Sequence, residues 1–227
     1  MARIARALGP ALCTRVVCIG ASVLPLLETE PDVLGSLRTT RDVDAITLTA
    51  SYWRKVELEQ ALLTLGFRQV TEPTTHADRW RAPDDTVFDL VSCGDHTGGT
   101  GNDADRWVIA HAGTVDLPPL VQHASAVGLL LLKCAAFRDR GAQWPRESKD
   151  LADIATLLAT RPEIVQEVRD APAEIHAVLA DHCAALVGDK RIVEAVRGHM
   201  DDRDPLIDDV AETVLARLRE MSLRRDG

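Results

Sequence analysis

Three acidic residues stand where a divalent cation would find hard oxygen ligands. Asp42 and Asp44 lie two apart within Arg38 to Leu48, RTTRDVDAITL, where apolar and polar residues alternate. That alternation predicts a strand, with Val43, Ala45 and Thr47 on one face and Asp42, Asp44 and Ile46 on the other. Both carboxylates then project from one face, one pleat apart. Asp89 sits in Thr86-Val87-Phe88-Asp89-Leu90-Val91, a second apolar strand, where a charge is costly unless it is paired or bound to metal. Three convergent carboxylates suit two Mg²⁺ ions, which take oxygen ligands.

An isolated D-x-D also describes the solvent face of an edge strand. What sharpens it here is Gly20-Ala21-Ser22, a small-residue turn that follows the apolar run Val16 to Ile19 and precedes a helix start at Val23 to Leu27. Such a turn can present backbone N–H groups to a phosphate. Ala21, where a second glycine would give more freedom, is compatible with that role only at negative φ.

Other chemistries have less support. Gly98-Gly99-Thr100-Gly101 lacks the Lys-Ser/Thr of a P-loop. The seven histidines form no H-E-x-x-H, and His176 and His182 are poorly spaced for zinc on a surface-like helix. Ser22 has no base partner for a hydrolase triad. Five widely spaced cysteines without a C-x-x-C pair read as reduced core thiols.

The elements that must position these residues fall into two groups. Tyr52 to Leu65 has helical spacing and ends at Gly66, Phe67 to Val70 opens a strand, and Arg79 to Arg81 pairs with Thr86 to Ser92 around Pro83-Asp84-Asp85. Gly94 to Asp105, GDHTGGTGNDAD, reads as a loop. Beyond Leu117-Pro118-Pro119 the pattern is helical over Leu120 to Arg140, Ser148 to Ala159, Pro162 to Val187, Lys190 to His199 and Pro205 to Arg219. The expectation is an α+β protein, with a small mixed-sheet core in residues 1–118 and a helical bundle lobe in residues 119–227.

The 227 residues are enough for a sizeable core, and 46% hydrophobic with 27% charged residues is ordinary globular composition. A formal charge of −9 disfavours a broad nucleic-acid-coating surface but leaves room for a local basic patch. Arg3, Arg6 and Arg15 ahead of Val16 to Leu27 superficially resemble a signal peptide, but Gly20, Ser22 and Pro25 break the run, and a cytoplasmic protein without a membrane anchor is expected.

Gly20-Ala21-Ser22, Thr40-Arg41-Asp42-Val43-Asp44 and Phe88-Asp89-Leu90 together resemble the nucleotidyltransferase superfamily, whose core is DNA polymerase β-like. Leu130 to Ala136 with Lys133, Arg138 to Arg140, and Lys149-Asp150-Leu151-Ala152-Asp153 resemble its AbiEii-like and MenT-like toxin branch. The resemblance spans roughly residues 16 to 158. It implies that Asp42, Asp44 and Asp89 bind Mg²⁺, and that Gly20, Ala21, Ser22, Arg41, Lys133, Lys149 and Asp150 contact an NTP, with Lys133 sharing in catalysis. It further implies transfer of a nucleotide to an acceptor such as the tRNA 3′ end, held by Arg79, Arg81, Arg138 and Arg140, and a cognate antitoxin as partner. Transfer to a protein or small molecule, and a non-catalytic nucleotide- or partner-binding module, are the alternatives.

From the residues alone, Lys133 beyond its leucines either snorkels to solvent or reaches a phosphate. Asp150 and Asp153 either complement a helix N-terminus or shape a binding site.

Overall fold

A computed structural model describes residues 1–30, 40, 42–70, 78–94, 103–201 and 208–224. The chain groups into two compact units, Met1–Leu26 with Arg38–Gly128, and Leu27–Leu37 with Leu129–Gly227. Among the described residues, no helix is long and apolar enough to cross a membrane.

The first unit is built on a mixed sheet. Its strands are β1 (Val17–Ile19), β2 (Asp42–Leu48), β3 (Arg68–Gln69), β4 (Arg79–Arg81), β5 (Val87–Cys93), β6 (Gly113–Val115) and β7 (Val121–His123), in the spatial order β3-β4-β5-β2-β1-β7-β6. The β2–β5 and β1–β7 pairs are parallel, and the remaining neighbours are antiparallel. Helices α1 (Ala2–Cys13), α2 (Leu24–Leu27), α3 (Tyr52–Thr64) and α4 (Asp103–Ala110) accompany it.

The two sheet faces differ because the pleat sorts residues by parity. On one face Val17, Ile46 and Cys93 form a buried cluster, against which Ile19, Val91, Ile109 and Ala112 pack. Asp42, Asp44 and Asp89 extend this same face toward the N-terminal ends of β2 and β5. On the other face Phe88 meets Phe67 with ring centroids 5.8 Å apart, and Trp80 lies opposite Phe88 in register.

Local chemistry explains the boundaries. Ser51 caps α3 by accepting from the Arg54 N–H. Gly66 ends it at φ 84°, where its N–H reaches the Leu63 carbonyl and the Phe67 N–H reaches that of Leu62, both at 3.0 Å. This is the six-to-one, five-to-two pattern that a left-handed glycine permits. The β4–β5 hairpin is centred on Asp84, and Asp85 takes the left-handed backbone its turn requires, at φ 63°.

The second unit is helical, with α5 (Ala126–Ala136) running into it, followed by α6 (Lys149–Thr160), α7 (Ile164–Asp170), α8 (Ala173–Gly188), α9 (Lys190–Asp201) and α10 (Asp208–Met221). The buried α6 is its centre: Ser148 caps one end through the Leu151 N–H, and Arg217 of α10 donates to the Leu158 and Ala159 carbonyls at the other.

Four sequence expectations are corrected. The helix over Leu120 to Arg140 begins only at Ala126, because Val121–His123 pairs with β1 and β6, and Ser125 accepts from the Gly128 N–H as a cap. The helix over Pro162 to Val187 is two helices, since Ala171 is extended before Pro172, as a residue preceding proline prefers. The loop over Gly94 to Asp105 gives way to α4 at Asp103. His176, expected on an exposed face, is buried. Arg41 and Gly98 to Gly101 lie outside the described residues.

Candidate active site

Parallel pairing of β2 with β5 sets Asp44 directly opposite Asp89, with Asp42 one pleat away. Neighbouring strands are about 4.8 Å apart, so the three carboxylates share one small area of one face. Asp42 and Asp44 are half-buried, and Asp89 is 9% exposed. Antiparallel pairing of β4 with β5 places Arg79 opposite Asp89 on the other side. Its guanidinium grips that carboxylate as a fork, Nε to Oδ1 at 2.8 Å and Nη2 to Oδ2 at 2.7 Å. The hydrogen bond to Asp89 raises the Arg79 pKa further, burial opposes this, and the charges of Asp89, Asp42 and Asp44 add to the rise. One guanidinium thus faces the field of three carboxylates.

The glycine turn abuts this cluster. β1 pairs Ile19 with Asp44, and Gly20 follows at φ 78°, ψ −174°. A Cβ added to Gly20 would stand 2.1 Å from Asp44 Oδ2, so the bare Cα is what lets that carboxylate lie against the turn. Ala21–Val23 then forms a single 3₁₀ turn, and Ser22 Oγ donates to the Ile19 carbonyl at 3.5 Å. Ala21 has no left-handed backbone, Asp85 being the one non-glycine with positive φ among the described residues. The methyl at position 21 is therefore accommodated without strain.

Ser22 and Asp42 also line a cavity of about 690 Å³ together with Arg3, Thr40, Arg81 and the Asp84–Val87 turn. This volume lies within the usual range for small-molecule sites, about 300–1,000 Å³. Its walls carry both signs of charge. Hydrogen bonds from Thr86, followed by the charge of Arg3, hold the Asp84 carboxyl below its usual value. Arg81 reaches the Asp85 carbonyl at 3.4 Å.

The carboxylate set fits Mg²⁺ by donor chemistry: all its ligating atoms are hard oxygens, carried on one face of adjacent strands. In this conformation both Asp89 oxygens are engaged by Arg79, and among the described residues no three His, Cys, Asp or Glu side chains are gathered as an ion cage. All five cysteines are buried free thiols, and burial, aided by Cys13 and Asp44 against the N-terminal charge, pushes Cys18 up to about 12.

The remaining expected residues gather in the helical unit. Lys133 does not snorkel to solvent: with its side chain 13% exposed, its ammonium lies 3.1 Å from Asp150 Oδ1 and 2.6 Å from Asp153 Oδ2. Arg140 adds a second cation, Nε to Asp150 Oδ2 at 2.8 Å and Nη2 to Oδ1 at 3.0 Å. A π-helical turn over Phe137–Gly141 sets Arg140, and Gly141 is needed there because a Cβ would meet Ser148 Oγ at 2.4 Å. Burial works against ionisation of Asp150, but the Arg140 hydrogen bond and the Lys133 charge prevail and hold its pKa below the usual carboxylate value. Lys149 and Arg138 are exposed, and Arg138 pairs with Asp139.

Sequence reasoning missed two partnerships. The Arg79–Asp89 fork was legible in principle, because a hairpin centred on Asp84 sets residue 79 opposite residue 89. The pairing of Lys133 with Asp150 and Asp153 has no comparable local signal, since it depends on how two helices pack. Compared with known proteins, the chain matches no family model and no curated sequence.

Proposed function

We propose that the chain is a metal-dependent nucleotidyltransferase, with Asp42, Asp44 and Asp89 as its metal-binding carboxylates and an NTP as substrate. The observation that carries this reading is the register: Asp44 opposite Asp89 and Asp42 one pleat away, beside a cavity that includes Ser22 and Asp42. Bound Mg²⁺ would neutralise triphosphate charge and make an acceptor hydroxyl more acidic. The chain's own residues do the rest. Asp42 and Asp44 would hold the ion against the α-phosphate end, and Arg3 and Arg81 supply cations in the cavity wall for the remaining phosphates. Asp89 takes the acceptor proton as the hydroxyl oxygen attacks the α-phosphorus. The bond to the β-phosphate oxygen breaks, and pyrophosphate leaves with the electron pair.

The proposed acceptor is the 3′ end of a tRNA, in a cytoplasmic toxin held by a cognate antitoxin; this part rests on the motif resemblance alone. Transfer to a protein or small molecule uses the same site. A non-catalytic nucleotide- or partner-binding module is favoured by one observation, the engagement of Asp89 by an arginine. Purified protein with Mg²⁺, each α-labelled NTP and total tRNA, run beside Asp44→Ala on a denaturing gel, separates these readings. Label in tRNA that disappears in the variant is expected. Label in protein alone moves the acceptor, and no label in any pool, with NTP binding indifferent to Mg²⁺, supports the binding module.

A further inference from the structure

The Arg79–Asp89 fork is an unusual neighbour for a cation site, because it occupies both oxygens of the most buried of the three carboxylates. An arginine has no acceptor and cannot share a metal. A divalent ion that ligates Asp89 must share its oxygens with the guanidinium or take them from it, and in either case the two positive charges repel.

We propose that Arg79 is an internal counter-cation, exchanged for the divalent ion when the carboxylate site loads, so that the fork and the metal compete for Asp89. This rests on the nucleotidyltransferase reading of the same carboxylates. Three observations support it. Arg79 stands opposite Asp89 in the ladder while Asp44 stands opposite Asp89 on the other side, so arginine and second carboxylate flank the same group. The charges of Asp42 and Asp44 as well as Asp89 act on Arg79, so the guanidinium is drawn by more than the carboxylate it grips. The Arg79 side chain is 28% exposed, leaving it room to swing off Asp89. Like charges this close disfavour one another. A fork that brings positive charge to the cluster stabilises the metal-free fold. Arg79 is a positioning residue in this scheme: it sets when Asp89 becomes available.

The alternative is a purely structural fork that holds Asp89 in a ligating pose, and the two roles predict opposite signs. Mn²⁺ titration of the full chain without nucleotide, followed by the loss of the free-ion electron paramagnetic resonance signal, distinguishes them. Binding is taken as the difference from the Asp42→Asn, Asp44→Asn double variant. Arg79→Gln is expected to bind Mn²⁺ about tenfold more tightly than the wild type, the size of effect one adjacent charge has on a carboxylate's proton affinity. Arg79→Lys keeps the charge but gives up the two-pronged grip, and is expected to fall between them. It also serves if the glutamine variant does not fold. Equal or weaker binding in both variants overturns the exchange while leaving the metal site, and hence the enzymatic reading, intact. No Mn²⁺ binding in the wild type or either variant overturns both.

Discussion

Two charged clusters, one in each unit, meet their carboxylates differently. In the helical unit, Lys133 bridges Asp150 and Asp153 and Arg140 grips Asp150, with Asp153 only 2% exposed. In the sheet unit, Arg79 grips Asp89 within the field of Asp42 and Asp44, and Asp42 opens on a cavity. A cluster whose buried carboxylates are each met by a cation contributes to holding helices in register. A carboxylate cluster that opens on a cavity can be reached by a further cation. The difference separates an internal ion-pair network from the proposed site, although both arise from the same residue types.

The comparison breaks first at Asp44. Asp44→Ala should lower nucleotide transfer by more than about 100-fold, since loss even of groups that only support metal ligands costs 10–100-fold. Its thermal unfolding should stay close to the wild type's. Unchanged transfer would return the sheet cluster to the status of an acidic surface.

The helical cluster should respond in the opposite way. Lys133→Met removes the cation that bridges Asp150 and Asp153, and should cost about 3–5 kcal/mol in urea unfolding, as when one partner of a buried pair is removed. A loss below about 1 kcal/mol would show that the cluster is not the internal network described.

Gly20→Ala sharpens the boundary of the sheet site. The methyl collides with Asp44 Oδ2 on a backbone at φ 78°, so a loss of about 1–3 kcal/mol is expected together with reduced Mn²⁺ binding. Wild-type Mn²⁺ affinity in this variant would mean that Asp44 does not need its present position.

The smallest effect is one of pH. The Asp150 pKa is lowered in the folded chain, so this group contributes stability in full above its unfolded value of about 4, and the contribution is lost as pH falls through the lower folded value. The stability gap between wild type and Asp150→Asn, measured by urea unfolding, should therefore narrow from pH 6 to pH 3. A gap that widens on acidification reverses the sign and removes the assignment.

Much of the sheet unit was legible in the sequence. The alternation around Asp42 and Asp44, the helix stopped by Gly66 and the hairpin around Pro83-Asp84-Asp85 all appear as expected. Elsewhere the apolar spacing misled: Leu120 to Arg140 reads as one helix because β7 and α5 follow each other with only Ala124 and Ser125 between them. The cap at Ser125 was the available signal there. Burial of His176 had none, because α8 is apolar on more than one side and its sequence does not say which side is covered.

By itself the sequence determined which side chains share a strand face and where turns must fall, because pleat period, glycine dihedrals and caps act between residues a few positions apart. Tertiary structure alone decided that β2 lies parallel to β5 with Asp44 opposite Asp89, that Arg79 occupies Asp89, and that Lys133 turns to Asp150 and Asp153. Those outcomes depend on strand neighbours and helix packing between segments far apart in the chain. No local periodicity encodes them, and there the energy of burying charge selects the partner.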